Sequence, residues 1–178
     1  AANRARLVAL MQEQAGNATT GNCGLDASLN DMRDSMQRFC AARISPHAHD
    51  WHRQNAYVPL DIIRELAELG VFALTLPEDH GGMGLPKEAM CVVSEELSRV
   101  WIAVGSLGTR AEIASELILC GGTEEQKARW LPKIASGEWR LQSMGVTEPT
   151  TGTDTTKIKT SAVKKDGRYV INGQKVWI

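Results

Sequence analysis

The chain changes its period near residue 140. Before that point apolar residues recur at helical spacing. After it, β-branched residues and turn dipeptides take over. Such a chain cannot be a uniform bundle or a uniform sandwich. It must hold a helical region followed by an extended one, which places it in the α+β class.

The helical part reads as five or six helices. Residues 3–14 predict a short polar helix, and Gly16 to Gly24, rich in Gly, Asn and Thr, predicts a linker. A helix is expected over Leu29–Ile44, with Met32, Met36, Phe39 and Cys40 on one face and Pro46 as its end. Leu60, Ile63, Leu66 and Ala67 mark the next, with Gly70 as its stop. Val71 to Pro86 carries Pro77, Gly81, Gly82, Gly84 and Pro86 and predicts a loop. Helical spacing resumes over 87–101 and again over 109–120. Thr123 and Gln126 then fit a capping box for a helix through Trp130, which Pro132 should end or kink.

The extended part holds two hairpin signals. Asp166-Gly167 separates Ala162-Val163 from Tyr169-Val170-Ile171, and Asn172-Gly173 separates that strand from Lys175-Val176-Trp177. Two strands do not make a stable sheet alone. The expectation is therefore that the chain stops inside a β domain and is part of a longer protein. If nothing followed Ile178, exposed edges around Val170, Val176 and Trp177 would favour aggregation or local disorder.

Charge and cysteines bound the function. Twenty Lys and Arg against 21 Asp and Glu give a formal charge of −1. No strong field steers the chain to nucleic acid or an anionic membrane, so neither partner is expected. No apolar run approaches the roughly 18 residues of a membrane helix. Cys23, Cys40, Cys91 and Cys120 form no CxxC pair, which removes zinc ribbons and thioredoxin-type sites. Buried, reduced thiols are the plainer reading. His47, His49 and His52 look ligand-rich but lie just after Pro46 without a fourth ligand, so no metal site is expected. Glu95-Glu96 and Glu124-Glu125 read as solvated helix faces.

The most unusual segment is Met144-Gly145-Val146-Thr147-Glu148-Pro149-Thr150-Thr151-Gly152-Thr153-Asp154. Hydroxyls and glycines surround an X-Pro turn, a composition that aims N–H groups and short hydroxyls at a phosphate or a polar ring edge. An ordinary strand-connecting loop would also fit it. Asp154 reads as the cap of its own loop.

Taken with Asn172-Gly173-Gln174-Lys175-Val176-Trp177-Ile178, this segment resembles the flavin-binding signature of the acyl-CoA dehydrogenase family, with Thr153 where the family usually has Ser. The helical half resembles the family too, through Pro77-Glu78-Asp79-His80-Gly81-Gly82-Met83-Gly84, Gly121 to Lys127, Trp130-Leu131-Pro132 and Ser136-Gly137-Glu138. The resemblance runs in order over residues 26–178.

That resemblance implies a helical N-terminal domain over 26–140, preceded by an extension over 1–25. The opening of a β-barrel-like middle domain would follow over 141–178, and the family's C-terminal four-helix bundle would be absent from this chain. It implies FAD as cofactor. Met144, Val146 and Thr147 would lie along one edge of the isoalloxazine, Gly152 and Thr153 at the pyrophosphate, and Trp177 and Ile178 against the ring. Thr153 would also meet the acyl-CoA. The implied reaction is α,β-dehydrogenation of an acyl-CoA thioester. Glu78 and Glu148 belong to loop motifs, so the base is expected beyond Ile178.

Residues 26–138 look most similar to the family branch acting on methylsuccinyl-CoA, a short branched dicarboxylic substrate, whereas 141–147 and 150–153 look closer to other branches. The implied partners are the acyl-CoA, an electron-transfer flavoprotein or another acceptor, and further copies of the full-length chain. A cytoplasmic location is expected, with the mitochondrial matrix as the alternative. A truncated, non-catalytic binding or assembly module of the same family is the competing reading.

Overall fold

The computed structural model describes residues 2–16, 24–139 and 143–178. Cys23, Leu141 and most of the expected linker lie outside the described residues. Contacts divide the chain into two compact units, Ala1–Arg140 and Leu141–Ile178.

The first unit holds seven α-helices among the described residues: α1 (Ala2–Glu13), α2 (Ala27–Phe39), α3 (Ser45–Arg53), α4 (Leu60–Glu68), α5 (Lys87–Val100), α6 (Ile102–Gly121) and α7 (Glu124–Ala135). Helix α1 buries none of its residues. The core joins Met36, Cys40, Ile44 and Ala48 to Ile62, Ile63 and Leu66 of α4. Val93 and Leu97 of α5, Val104 and Leu107 of α6, and Ile134 of α7 complete it.

Pro46 does not end a helix, contrary to expectation. A π-helical turn, Cys40–Ile44, follows α2 directly, with the Ser45 N–H donating to the Cys40 carbonyl. Pro46 thereby falls in the first turn of α3, where its missing N–H is not needed. The wide turn also serves packing. Met36, Cys40, Ile44 and Ala48 are all buried at four-residue steps. In a 3.6-residue helix such a repeat drifts around the axis, and one wider turn offsets the drift.

Helix α4 stops where expected. Gly70 takes φ 76°, and the Val71 N–H reaches back to the Leu66 carbonyl at 3.0 Å. The segment from Val71 to Pro86 is a loop, yet Val71, Phe72, Ala73, Leu74 and Leu76 are buried. It doubles back on itself: Met83 N–H donates to the Ala73 carbonyl at 2.9 Å and Leu85 N–H to the Leu74 carbonyl at 2.8 Å. Those bonds satisfy the backbone that burial strips of water.

Helix α6 begins at Ile102, two turns before the expected residue 109. Gly105 and Gly108 obscure those turns in the sequence, but both are buried against neighbours: a Cβ on Gly105 would meet Ser98, and one on Gly108 would meet Val71 and Met90. The capping box that opens α7 is formed on both sides, with the Gln126 N–H donating to Thr123 Oγ1 and the Thr123 N–H to Gln126 Oε1. Pro132 neither ends nor shortens this helix, which runs on to Ala135. Leu131, Ile134 and Ala135 are buried around it. Full burial of a Leu or Ile is worth about 1.5–3 kcal/mol, comparable with the roughly 3 kcal/mol that a helical proline costs.

Glu96 corrects another expectation. It is 5% exposed, not solvated. Its carboxylate accepts from Gln37 Nε2 at 2.9 Å and Arg99 Nη2 at 2.7 Å, which offset the cost of burying the charge. Of the described cysteines only Cys40 is buried; Cys91 and Cys120 are exposed, against the expectation of buried thiols. Burial, with the nearby Glu96 charge second, pushes the Cys40 thiol up to about 11.

In the second unit, β1 (Ser161–Lys165) and β2 (Arg168–Asn172) form the antiparallel hairpin expected at Asp166-Gly167, with Val163 opposite Val170. Asp166 and Gly167 both take positive φ, as the tight turn demands. The second expected hairpin is absent. β2 ends at Asn172, and the described residues after it form no strand paired with β2.

Candidate functional site

The site candidates lie in the second unit, on the segments 143–147 and 173–178 and, for Gly152 and Thr153, on the turn that follows the first of them. The sequence between Thr147 and Asp154 first makes a tight turn. Glu148 and Thr151 exchange backbone hydrogen bonds at 2.8 and 3.1 Å, with Pro149 in the second turn position that suits its locked φ. Asp154 then caps a short 3-10 turn, accepting from the Thr156 N–H at 3.2 Å, as its place in the sequence predicts.

The two segments meet where the Val176 N–H donates to the Thr147 carbonyl at 3.0 Å. Lys175 Nζ adds a second link, donating to the Val146 carbonyl at 2.9 Å. Gly145 faces the end of the other segment, since a Cβ on it would lie 3.5 Å from Ile178 Cδ1. Gly145, Val146 and Thr147 therefore lie against residues 175–178, with Met144 directly before them in the chain. Gly152 lies beside Thr147: the nearest atom to a Cβ placed there is Thr147 Cγ2, at 3.7 Å.

Among the described residues no hydrogen bond engages the Thr147 hydroxyl or the Thr153 hydroxyl. Thr147 is half-buried, and Gly152 and Thr153 are exposed. Two unspent donors beside a side-chain-free backbone position suit a ligand with a polar ring edge and phosphate oxygens. Trp177 is 94% exposed and takes φ 61°. It is not packed in a sheet corner, the plainer role for such an aromatic.

Sequence reasoning missed how the site is held. Glu148 is 5% exposed and its carboxylate collects four donors. The Lys159 N–H donates at 2.8 Å, the Thr160 N–H at 2.9 Å, the Thr160 hydroxyl at 2.6 Å and Lys175 Nζ at 3.0 Å. These donors, led by the Thr160 hydroxyl and the two backbone N–H groups, hold the carboxyl down at about 2. Both carboxylate oxygens accept hydrogen bonds, so Glu148 acts as an anchor.

The other titratable cluster lies in the first unit. His49 and His52 of α3 line a cleft of about 450 Å³ with Ser45, Ala48, Arg99, Val100 and Trp101. The histidines sit on a helix and not in a turn as their place after Pro46 suggested. Among the described residues no group of three His, Cys, Asp or Glu could hold a metal ion. Nor is any described helix long and apolar enough to cross a membrane.

A helical unit followed by a unit with a two-stranded hairpin defines an α+β chain, and comparison with known proteins makes the class specific. The models for the N-terminal and middle domains of acyl-CoA dehydrogenases match residues 26–138 and 143–178. The chain belongs to the acyl-CoA dehydrogenase family. It is 56% identical over 177 residues to the (2S)-methylsuccinyl-CoA dehydrogenase of Cereibacter sphaeroides, covering 99% of this chain and 32% of that protein. It is 35% identical to the mitochondrial isovaleryl-CoA dehydrogenase of Bos taurus, over 87% of this chain and 37% of that one. A glutaryl-CoA dehydrogenase from Mycobacterium smegmatis, solved in complex with FADH2, superposes with a TM-score of 0.73 at 26% identity, covering 86% of this chain and 39% of that one. The chain thus spans about a third of the length of the curated relatives it matches.

Proposed function

We propose that this chain is the helical domain and the opening of the flavin-facing β domain of an FAD-dependent acyl-CoA dehydrogenase. Residues 1–25 form an extension, 26–140 the helical domain and 141–178 the β portion. The reading rests on one observation above all. The segment through Thr147 and the segment through Trp177 lie side by side, joined by the 3.0 Å bond from Val176 to Thr147.

The donor set fits the cofactor. The free Thr147 hydroxyl would donate to the pyrimidine edge of the ring, where negative charge gathers on reduction. Met144 and Val146 would flank that edge. Gly152 would let the backbone approach the pyrophosphate and Thr153 would donate to it, meeting the acyl-CoA as well. Trp177 offers an exposed ring for stacking, with Ile178 beside it. Bound FAD would supply the acceptor for the hydride that leaves the β-carbon of the thioester. Nothing in this chain is assigned as the base for the α-proton: Glu148 and Glu96 both spend their carboxylates on internal donors.

The substrate proposed is a short branched dicarboxylic acyl-CoA such as methylsuccinyl-CoA, supported by the 56% identity over nearly the whole chain. An electron-transfer flavoprotein or another electron acceptor is the proposed partner, a homo-oligomer the proposed assembly, and the cytoplasm, with the mitochondrial matrix as the alternative, the proposed location. The test uses the complete polypeptide with an artificial electron acceptor. A yellow, flavin-containing protein that oxidises methylsuccinyl-CoA supports the reading. Turnover of isobutyryl- or butyryl-CoA without methylsuccinyl-CoA would overturn the substrate. A colourless protein that takes up no FAD would overturn the enzyme and favour a binding or assembly module.

A further inference from the structure

We propose that Glu148 and Lys175 form a positioning pair that sets the spacing of the two cofactor-facing segments, and so the place of the Thr147 hydroxyl. The proposal rests on the FAD reading above.

Three stretches of chain converge on this pair. Glu148 directly follows the first cofactor-facing segment and Lys175 lies in the second, 27 residues away. Lys159 and Thr160, which run up to β1, donate to the same carboxylate. Lys175 also donates to the Val146 carbonyl, one residue before Thr147. The residue after Lys175 is Val176, which bonds Thr147 itself. Thr147 is therefore fixed on both sides: by Lys175 through Val146, and by Glu148, its own neighbour.

The chemistry of the pair suits a brace more than a reactive site. Glu148 is buried with all its donors in place, and Lys175 is a quarter exposed with two acceptors. Removing one partner leaves a buried charge or a buried set of N–H groups without its counterpart, which costs far more than loss of a surface pair. The brace holds the loop while the Thr147 hydroxyl stays unspent. A donor locked by the residues behind it is pre-organised toward a ligand, and misplacement of a positioned group by about 1 Å can cost about a hundredfold.

The test compares the holoprotein with Glu148→Gln, Lys175→Met, the double variant and Lys175→Arg. Glutamine keeps the shape but turns an NH2 toward donors that need an acceptor. FAD affinity, from the fluorescence of released flavin, should fall by about tenfold or more in each single neutral variant. The double variant should lose no more than the worse single, because the two act as one unit. Lys175→Arg keeps a cation with several donors and should recover most of the affinity. The visible spectrum of the bound flavin should broaden in the neutral variants while far-UV melting of the helical unit is unchanged.

A second readout needs no flavin. Amide hydrogen exchange at Lys159, Thr160 and Val176 should speed up in Glu148→Gln and Lys175→Met. If Glu148→Gln does not fold, Lys175→Met and Lys175→Arg decide. Unchanged FAD affinity, flavin spectrum and amide exchange in the folded neutral variants would overturn the brace. A parent protein that binds no FAD would instead overturn the flavin reading, while the exchange measurement still judges the pair.

Discussion

Replacing Gly105 by Ala sets two effects of known size against each other. Gly105 is in the first turns of α6, and alanine in a helix interior is about 1 kcal/mol more favourable than glycine. In an isolated helix the substitution would stabilise. Here a Cβ at Gly105 would lie 2.0 Å from Ser98 Oγ and 2.8 Å from both Cα and Cβ of Ser98. The hydroxyl can rotate away, but the Ser98 backbone cannot, so α5 and α6 must separate. Overpacking of a close-packed contact costs about 1–3 kcal/mol. The overlap outweighs the propensity, and the net change is a loss of up to about 2 kcal/mol.

Denaturant unfolding followed by far-UV circular dichroism measures this as a lower midpoint at unchanged slope. Gly121→Ala is the internal control. It lies at the end of the same helix with nothing within 4 Å of its Cβ, so it should be neutral or stabilising by up to about 1 kcal/mol. Removing only the hydroxyl, in Ser98→Ala with Gly105→Ala, should not restore stability. A Gly105→Ala protein more stable than its parent, or full rescue by Ser98→Ala, would show that the helices do not meet through backbone here.

Three further outcomes follow from the site and the core. Glu148 is held below the ordinary carboxylate range, so the stability it lends is complete above about pH 4.5 and is lost as pH falls toward about 2. Protection of the Lys159 and Thr160 amides, relative to their intrinsic exchange rate at each pH, should fall over that window, and in Glu148→Gln this fall should vanish. Thr147→Val removes the donor proposed for the reduced flavin, so the flavin midpoint potential should become more negative by about 20–40 mV, the equivalent of a hydrogen bond of about 1–2 kcal/mol, in a potentiometric titration; an unchanged potential would remove Thr147 from the ring. Alkylation at neutral pH followed by peptide mass mapping should modify exposed Cys91 and Cys120 long before Cys40, whose thiol is buried and raised to about 11; early modification of Cys40 would contradict its packing.

The chain's local signals were readable because each depends on residues within a turn of one another. The capping box at Thr123 and Gln126, the stop at Gly70, the Asp166-Gly167 hairpin and the Asp154 cap all formed where the sequence placed them. So did the change from helical to extended character. The family was legible for a related reason: its motifs are short and keep their order along the chain.

Tertiary structure decided what depends on distant partners. Pro46 and Pro132 looked like helix ends, but the first was absorbed by a π turn and the second by the buried residues on either side of it. Glu96 looked solvated until Gln37, 59 residues away, and Arg99 came to meet it. Asn172-Gly173 carries a hairpin sequence, yet Val176 found Thr147 in preference to β2. Glu148 gathered donors from 11, 12 and 27 residues along the chain. The physical reason is the same in each case. A backbone turn is chosen by its own torsions and nearest hydrogen bonds, whereas burial of a charge or a proline is tolerated only when segments far apart in sequence arrive together to satisfy it.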